Sequence, residues 1–423
     1  MVLQSLLFDC HIDFLWQAEA LSVLTPAQVA QLTLSSGALN DTDQIDHVFE
    51  RLEEGNALEN VDEFLEELTA NGKDPDFQPA VRDHLMNRTF SIIAPHFPKF
   101  KTDDWFAWFH VKLVTLLPSF SAVMLKNATS DINCTNYHVV VSGMAKAFPS
   151  ISSQGQEEIT DVMVGYLKKS VSVINTPVCR QGIQSDAQWL EKNLGPFSTR
   201  AKYSDLKVFN ISGVAVVENL SPKQKAELIL DPDSNALENE NIVREVFTSL
   251  TESPDTEQLS QFFQAYSDIN KQRNITIVEN PAVRDIILNL TLTALAPEFE
   301  DFGPEDYKLW FQVYLVTVMA SLHPGSLAVI PSNISCASYA AMYEIIFLKS
   351  KVRHFGFCTM SKCGFRQVTK MCVFFPQTHW PRAKFENPAT AAFTGCEIKQ
   401  RVTQGDIRTY VDIIFQISQL PLL

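Results

Sequence analysis

AVRDHLMNRTFSIIAPHFPKFKTDDWFAWFHVKLVTLLPSF, residues 80–120, returns at residues 282–322 as AVRDIILNLTLTALAPEFEDFGPEDYKLWFQVYLVTVMASL. The match runs without a gap from Ala80 to Tyr137 and from Ala282 to Tyr339, at a constant offset of 202, and roughly 22 of its 58 positions are identical. Ala80-Val81-Arg82-Asp83, Ala94-Pro95, Trp108-Phe109, Leu113-Val114-Thr115 and Cys134 all have counterparts. Self-similarity at a fixed offset is the mark of a chain built from repeated units. The stretch itself predicts a helix from Arg82 to Ile93 that breaks before Pro95. A second helix is predicted to be capped at Thr102, with Asp103 and Asp104 complementing the dipole in its first turn. Trp105, Phe109, Leu113 and Leu116 are its expected buried face.

Outside this stretch the offset drifts but the devices recur. Leu24-Thr25-Pro26-Ala27-Gln28 reads as a helix start, with Thr25 as N-cap, Pro26 at the first position and Gln28 reaching back to the cap. Leu220-Ser221-Pro222-Lys223-Gln224 repeats it at an offset of 196, and Val48-Phe49 match Val246-Phe247 at 198. The unit is therefore about 200 residues long: 24–219, then an incomplete second copy at 220–348. Residues 1–23 are a lead-in from a truncated preceding unit, and 349–423 a divergent, basic, Cys-containing tail. Val61, Phe64, Leu65 and Leu68 form one helical stripe, with Asp62, Glu63, Glu66 and Glu67 on an expected solvated face. From Ser153 a further helix carries Ile159, Val162, Met163, Tyr166 and Leu167 on one side. Only Val214–Val217 is a weak strand candidate, so the fold class is all-α, a stack of short helices.

With 423 residues, 46% of them hydrophobic and 20% charged, the chain has ample material for large cores and is not disordered throughout. A net charge of −15 argues against a nucleic-acid partner, because that role needs a basic face. Basic residues crowd Lys349–Arg408, and the ordinary reading is a change of segment. No run of apolar residues is long enough to span a bilayer. MVLQSLLFDC lacks the basic region and cleavage site of a signal peptide, and YVDIIFQISQLPLL lacks the spacer and tail of a lipid-anchor signal.

The sequons point the other way. Asn-x-Ser/Thr occurs at Asn40, Asn87, Asn127, Asn133, Asn210, Asn219, Asn274, Asn289 and Asn333, where chance predicts about three. Asn87 and Asn289 are equivalent positions. Asn219 is the weakest, because Pro222 follows its Ser. The predicted glycosylation sites are the remaining eight, on a secretory-pathway protein whose signal and anchor lie outside this chain. An Asn- and Ser/Thr-rich intracellular helical protein is the alternative.

The cysteines are Cys10, Cys134, Cys179, Cys336, Cys358, Cys363, Cys372 and Cys396. Because Cys134 and Cys336 are equivalent, one bridge per unit is a natural expectation. In the first unit the partner near at hand is Cys179, closing a loop of about 45 residues; buried free thiols are the alternative. Cys336 would take a tail cysteine that the sequence does not identify. Cys358-x4-Cys363 with Cys372 matches no standard zinc spacing, so no metal is expected. The histidines form no paired motif. There is no His-Glu-x-x-His, Gly-x-Ser-x-Gly or phosphate-binding glycine loop, so neither catalytic residues nor a cofactor are expected. His110 and His96 become Gln312 and Glu298 in the second copy, which argues against a duplicated site. Trp105, Trp108 and Phe109 are read as core and not as a ligand box.

Asn133-Cys134-Thr135-x-Tyr137, the preceding Trp108-Phe109 to Leu116-Leu117-Pro118-Ser119, Trp189-Leu190 to Leu194-Gly195-Pro196-Phe197-Ser198, and Leu220-Ser221-Pro222-x-Gln224 resemble the mesothelin, stereocilin and otoancorin superfamily over about residues 20–345. The resemblance implies a superhelical, armadillo- or HEAT-like stack in a secreted or membrane-anchored cell-surface glycoprotein. Its partner would be extracellular matrix or a cell-surface glycoprotein such as a mucin-like one, and it carries no catalytic residues. It also implies a bridge between Cys134 and Cys179. The reading is a non-enzymatic module for cell–matrix or cell–cell adhesion, bound to the membrane, if at all, through an anchor not present in this chain. The competing reading is an intracellular helical-repeat scaffold that binds peptide segments.

Overall fold

The computed structural model describes residues 21–342 except 36–39, 71–74, 76, 175–178, 253–255, 332–333 and 336, together with the backbone of 355–359 and 369–373. Asn333, Cys336 and the side chains of the tail cysteines, and with them most of the tail, lie outside the described residues. Two compact units form, Met1–Ile269 and Asn270–Leu423.

From 21 to 342 the described chain is all-α. The first unit opens with α1 (Pro26–Ser35), α2 (Thr42–Leu52), α3 (Ala57–Thr69), α4 (Pro79–Ile93), α5 (Thr102–Ala107), α6 (Ala122–Ala128) and α7 (Cys134–Ala147). It continues with α8 (Ser153–Ile174), α9 (Asp186–Asn193), α10 (Tyr203–Val208), α11 (Pro222–Leu230) and α12 (Glu240–Thr251), and α13 (Glu257–Gln272) runs out of it. The second unit has α14 (Pro281–Leu295), α15 (Pro304–Lys308) and α16 (Pro324–Leu327). A two-stranded antiparallel ribbon follows, β1 (Phe355–Thr359) with β2 (Thr369–Val373), Phe355 opposite Val373. In the first unit α1 lies against α3, α2 against α4, α5 against α7, α6 against α8 and α7 against α9. These five pairs join helices two steps apart along the chain, while α10 meets α11 and α11 meets α12 as direct neighbours.

The predicted start devices form. Thr25 N–H donates to Gln28 Oε1 while Gln28 N–H donates to Thr25 Oγ1. Ser221 and Gln224 exchange the same pair of bonds. At α5 the cap differs from expectation. Thr102 is the first helical residue, Lys101 N–H donates to Asp104 Oδ2 at 2.7 Å, and the Thr102 hydroxyl turns away to donate to Asn136 Oδ1. The carboxylate reaching back satisfies the helix start, which frees the threonine to bridge to α7. Val214–Val217 is a correction as well. It forms part of a 3₁₀ turn, Val214–Asn219, in which the adjacent Val216 and Val217 are both buried, something a half-buried strand cannot do.

α5 does not continue as an α-helix. Trp108–Lys112 is a π turn, and Leu309–Tyr314 is another at the matching place in the second unit. The wider turn still buries Trp105, Trp108, Phe109, Leu113 and Leu116 as expected. It also sits so close to α7 that a Cβ on Gly143 would lie 2.7 Å from the Phe109 carbonyl oxygen. Only glycine fits there.

The acidic side of α3 is less solvated than its charge suggests. Lys112, almost buried at the end of the π turn, pairs with Asp62 and lies 3.6 Å from Glu66, with its ammonium 5.2 Å from the centre of the Trp108 ring. Glu67 accepts from Gln31 Nε2 on α1. The face is used for helix–helix ion pairing, although Glu63 and Glu66 keep much of their surface in water.

Candidate functional site

α7 begins with the motif Asn133-Cys134-Thr135-Asn136-Tyr137, and each residue has a separate task. Asn133 is the N-cap; its Oδ1 accepts from the Asn136 backbone N–H at 2.9 Å. Cys134, the first helical residue, is disulfide-bonded to Cys179. Tyr137, fully buried, donates its hydroxyl to the Asn193 carbonyl at 2.9 Å and stacks on Tyr166 of α8, whose hydroxyl donates to the Ile132 carbonyl.

The second motif closes the same site. Asn193, at the end of α9, holds the Cys179 and Trp189 carbonyls with its Nδ2, and its Oδ1 accepts from His138 Nε2 at 3.1 Å. Cys179 itself takes φ +53°, a left-handed conformation costing roughly 1 kcal/mol for a residue with a Cβ. The disulfide and the Asn193 contact hold it there. Gly195 also has a positive φ, and it brings the Leu194–Ser198 turn against Ala145. Burial raises the Tyr137 and Tyr166 hydroxyls above their ordinary value and lowers His138 below its own. All three are neutral near pH 7, and the network is an uncharged one that ties α7, α8, α9 and the Cys179 loop together.

Beside the cap is a half-open cavity of about 240 Å³. Its apolar wall is Phe97, Phe100 and Trp105, and Asn127, Asp131, Asn133 and Asn136 supply its polar side. Trp105 is core, as expected, yet it also borders this space. The cavity was not legible from the sequence, because it arises where the 3₁₀ turn Ala94–Lys99 meets the loop between α6 and α7.

The sequons fall on the surface. Asn40, Asn87, Asn127, Asn133, Asn210, Asn219, Asn274 and Asn289 are all exposed. The buried asparagines Asn136, Asn193 and Asn270 belong to no sequon. Asn210 and Asn274 sit at turns with φ of +54° and +56°. Asn87 and Asn289 instead lie mid-helix, and the threonines that complete their sequons, Thr89 and Thr291, are fully buried.

Among the described residues no cluster of His, Cys, Asp and Glu is arranged to hold a metal ion, and no helix is long and apolar enough to cross a membrane. His110 donates from Nε2 toward the Val139 carbonyl and lies 3.0 Å from Ser142 Oγ, a contact between the π turn and α7. No family model, curated protein or solved structure matches the chain.

Proposed function

We propose that the chain is an extracellular, non-enzymatic adhesion glycoprotein of the mesothelin, stereocilin and otoancorin kind. In this reading the helices stack into a superhelix built from two copies of one unit, which offers an extended surface to matrix or to a cell-surface glycoprotein. The observation that carries it is the sorting of the asparagines: every described sequon asparagine is exposed and every buried asparagine lies outside a sequon. The Cys134–Cys179 bridge adds support, since disulfides persist in oxidising compartments. So does the convergence of the two family-like motifs, around Cys134 and around Trp189, on one stapled network.

The glycans would be added co-translationally. At Asn87 and Asn289 the threonine hydroxyl that a transferase must read is buried in the finished helix, so transfer there precedes folding. The test is expression behind a supplied signal peptide, followed by glycosidase digestion and a count of free thiols at Cys134 and Cys179. A gel shift with both thiols blocked is expected. No shift together with two free thiols sinks the proposal and favours an intracellular scaffold.

A further inference from the structure

We infer that the cavity beside α7 is a seat for the first N-acetylglucosamine of a glycan carried on Asn133; the inference rests on the secretory reading above. Two sequon asparagines, Asn127 and Asn133, border this cavity, and both are exposed. Asn133 is the better placed of the two. Its cap bond fixes the carboxamide through Oδ1 and leaves Nδ2 for the sugar. The covalent step balances simply. The bond forms between Asn133 Nδ2 and the anomeric carbon of a lipid-diphosphate-linked oligosaccharide, the diphosphate leaves, and one amide proton is lost.

The cavity has what such a ring needs. Phe97, Phe100 and Trp105 give an apolar wall for the C–H face of a pyranose. Asn136 supplies the polar contact. It is only 7% exposed, and its Oδ1 accepts from Thr102. Its Nδ2 has no hydrogen-bond partner among the described residues. That Nδ2 opens on the cavity and is not among the sealed, unpartnered polar atoms, so an acetamido carbonyl placed there would take the place of water on this donor. At about 240 Å³ the space is below the roughly 300–1,000 Å³ of ordinary ligand sites. It suits one ring, with the rest of a glycan leaving through the open side.

The test uses the full chain made in a glycosylating cell. The native protein is digested with a peptide amidase that converts a glycosylated Asn to Asp, and release is followed site by site by mass spectrometry. Release at Asn133 is expected to be slower than at Asn127 and Asn210 by about tenfold. Asn136→Asp keeps the acceptor for Thr102 and removes the donor, so it should bring Asn133 to the rate of the other sites. Equal rates in the wild-type protein, protection of Asn127 in place of Asn133, or an empty Asn133 beside occupied sequons overturns the inference and leaves the secretory reading standing. A protein with no glycan at any sequon overturns both. Thr135→Ala abolishes the sequon without touching the cap. That variant, titrated with free N,N′-diacetylchitobiose, should show no saturable binding below about 1 mM. Tighter binding would mark a site for foreign sugar and overturn the assignment to the protein's own glycan.

Discussion

The stretch 80–137 and its counterpart 282–339 can be compared atom by atom, and the comparison separates what packing demands from what it tolerates. Arg82 Nε donates to Ser119 Oγ at 3.0 Å, and Arg284 Nε donates to Ser321 Oγ at 2.9 Å. Asp104 caps α5 as Asp306 caps α15. Phe97, Phe100 and Trp105 meet edge-on and stacked, and Phe299, Phe302 and Tyr307 meet the same way. His110 reaches the Val139 carbonyl and Gln312 the Ala341 carbonyl, 2.6 Å away. An imidazole and a carboxamide thus do one task, because each places an N–H at similar reach. Charge is not kept: Lys112 with its carboxylates is matched by Tyr314, which meets Trp310 edge-on. Hydrogen bonds to the backbone and ring geometry are shared, and ion pairs are local.

The sharpest way to break the comparison is at the staple. Replacing Cys134 and Cys179 with Ser should cost about 4 kcal/mol for a loop of 45 residues, read as a shift of the denaturant midpoint. A loss under about 1 kcal/mol would mean that the Tyr137–Asn193 network holds the loop unaided. Next comes Lys112→Ala, which leaves Asp62 part-buried without its partner and uncovers Trp108. About 2 kcal/mol is expected, less than for a fully buried pair because Asp62 and Glu66 retain solvent. Lys112→Tyr, which installs the second unit's solution, should recover part of that loss.

Smaller effects test the shared contacts. Arg82→Ala and Arg284→Ala should each cost about 1–2 kcal/mol. Arg284 should cost more, because its Nη1 also donates to the Val278 carbonyl. Hydrogen exchange of α4 and α14 would rank them, and equal effects would contradict the geometry. His110→Gln should be the mildest, within about 0.5 kcal/mol at neutral pH, but it changes the pH profile. Burial holds the His110 pKa below 6.5 in the folded chain, so the unfolded chain binds more protons as pH falls. Stability is full above 6.5 and declines as pH drops toward the folded value. The glutamine variant should lose that part of the decline, leaving the part due to His138, which is lowered in the same sense.

Much of this was legible in the residues. Periodicity located α3 and α8, whose stripes face the core, while the duplicated stretch and the break before Pro95 located α4. The Thr25 and Ser221 starts were readable because a capping box is a local contract among four residues. The π turns were not, since an added residue in a turn leaves the apolar order Trp105, Phe109, Leu113 almost undisturbed. Thr102 misled for a related reason: a carboxylate three residues on can take over the cap and release the hydroxyl for a tertiary bond. Of the candidate site, Cys134 and Cys179 were readable, but Asn193, Tyr166 and the cavity depend on α9, α8 and a 3₁₀ turn arriving together. No spacing along the chain encodes that.

The covalent link between Cys134 and Cys179 also determines how the molecule would respond to a protease. A single cut between these two residues opens a ring and does not divide the chain. On a non-reducing gel the nicked protein runs near full size, and it separates into two pieces only after thiol treatment. A fragment pattern that differs with and without reductant would therefore map cleavage to that interval, and damage there would go unnoticed under oxidising conditions.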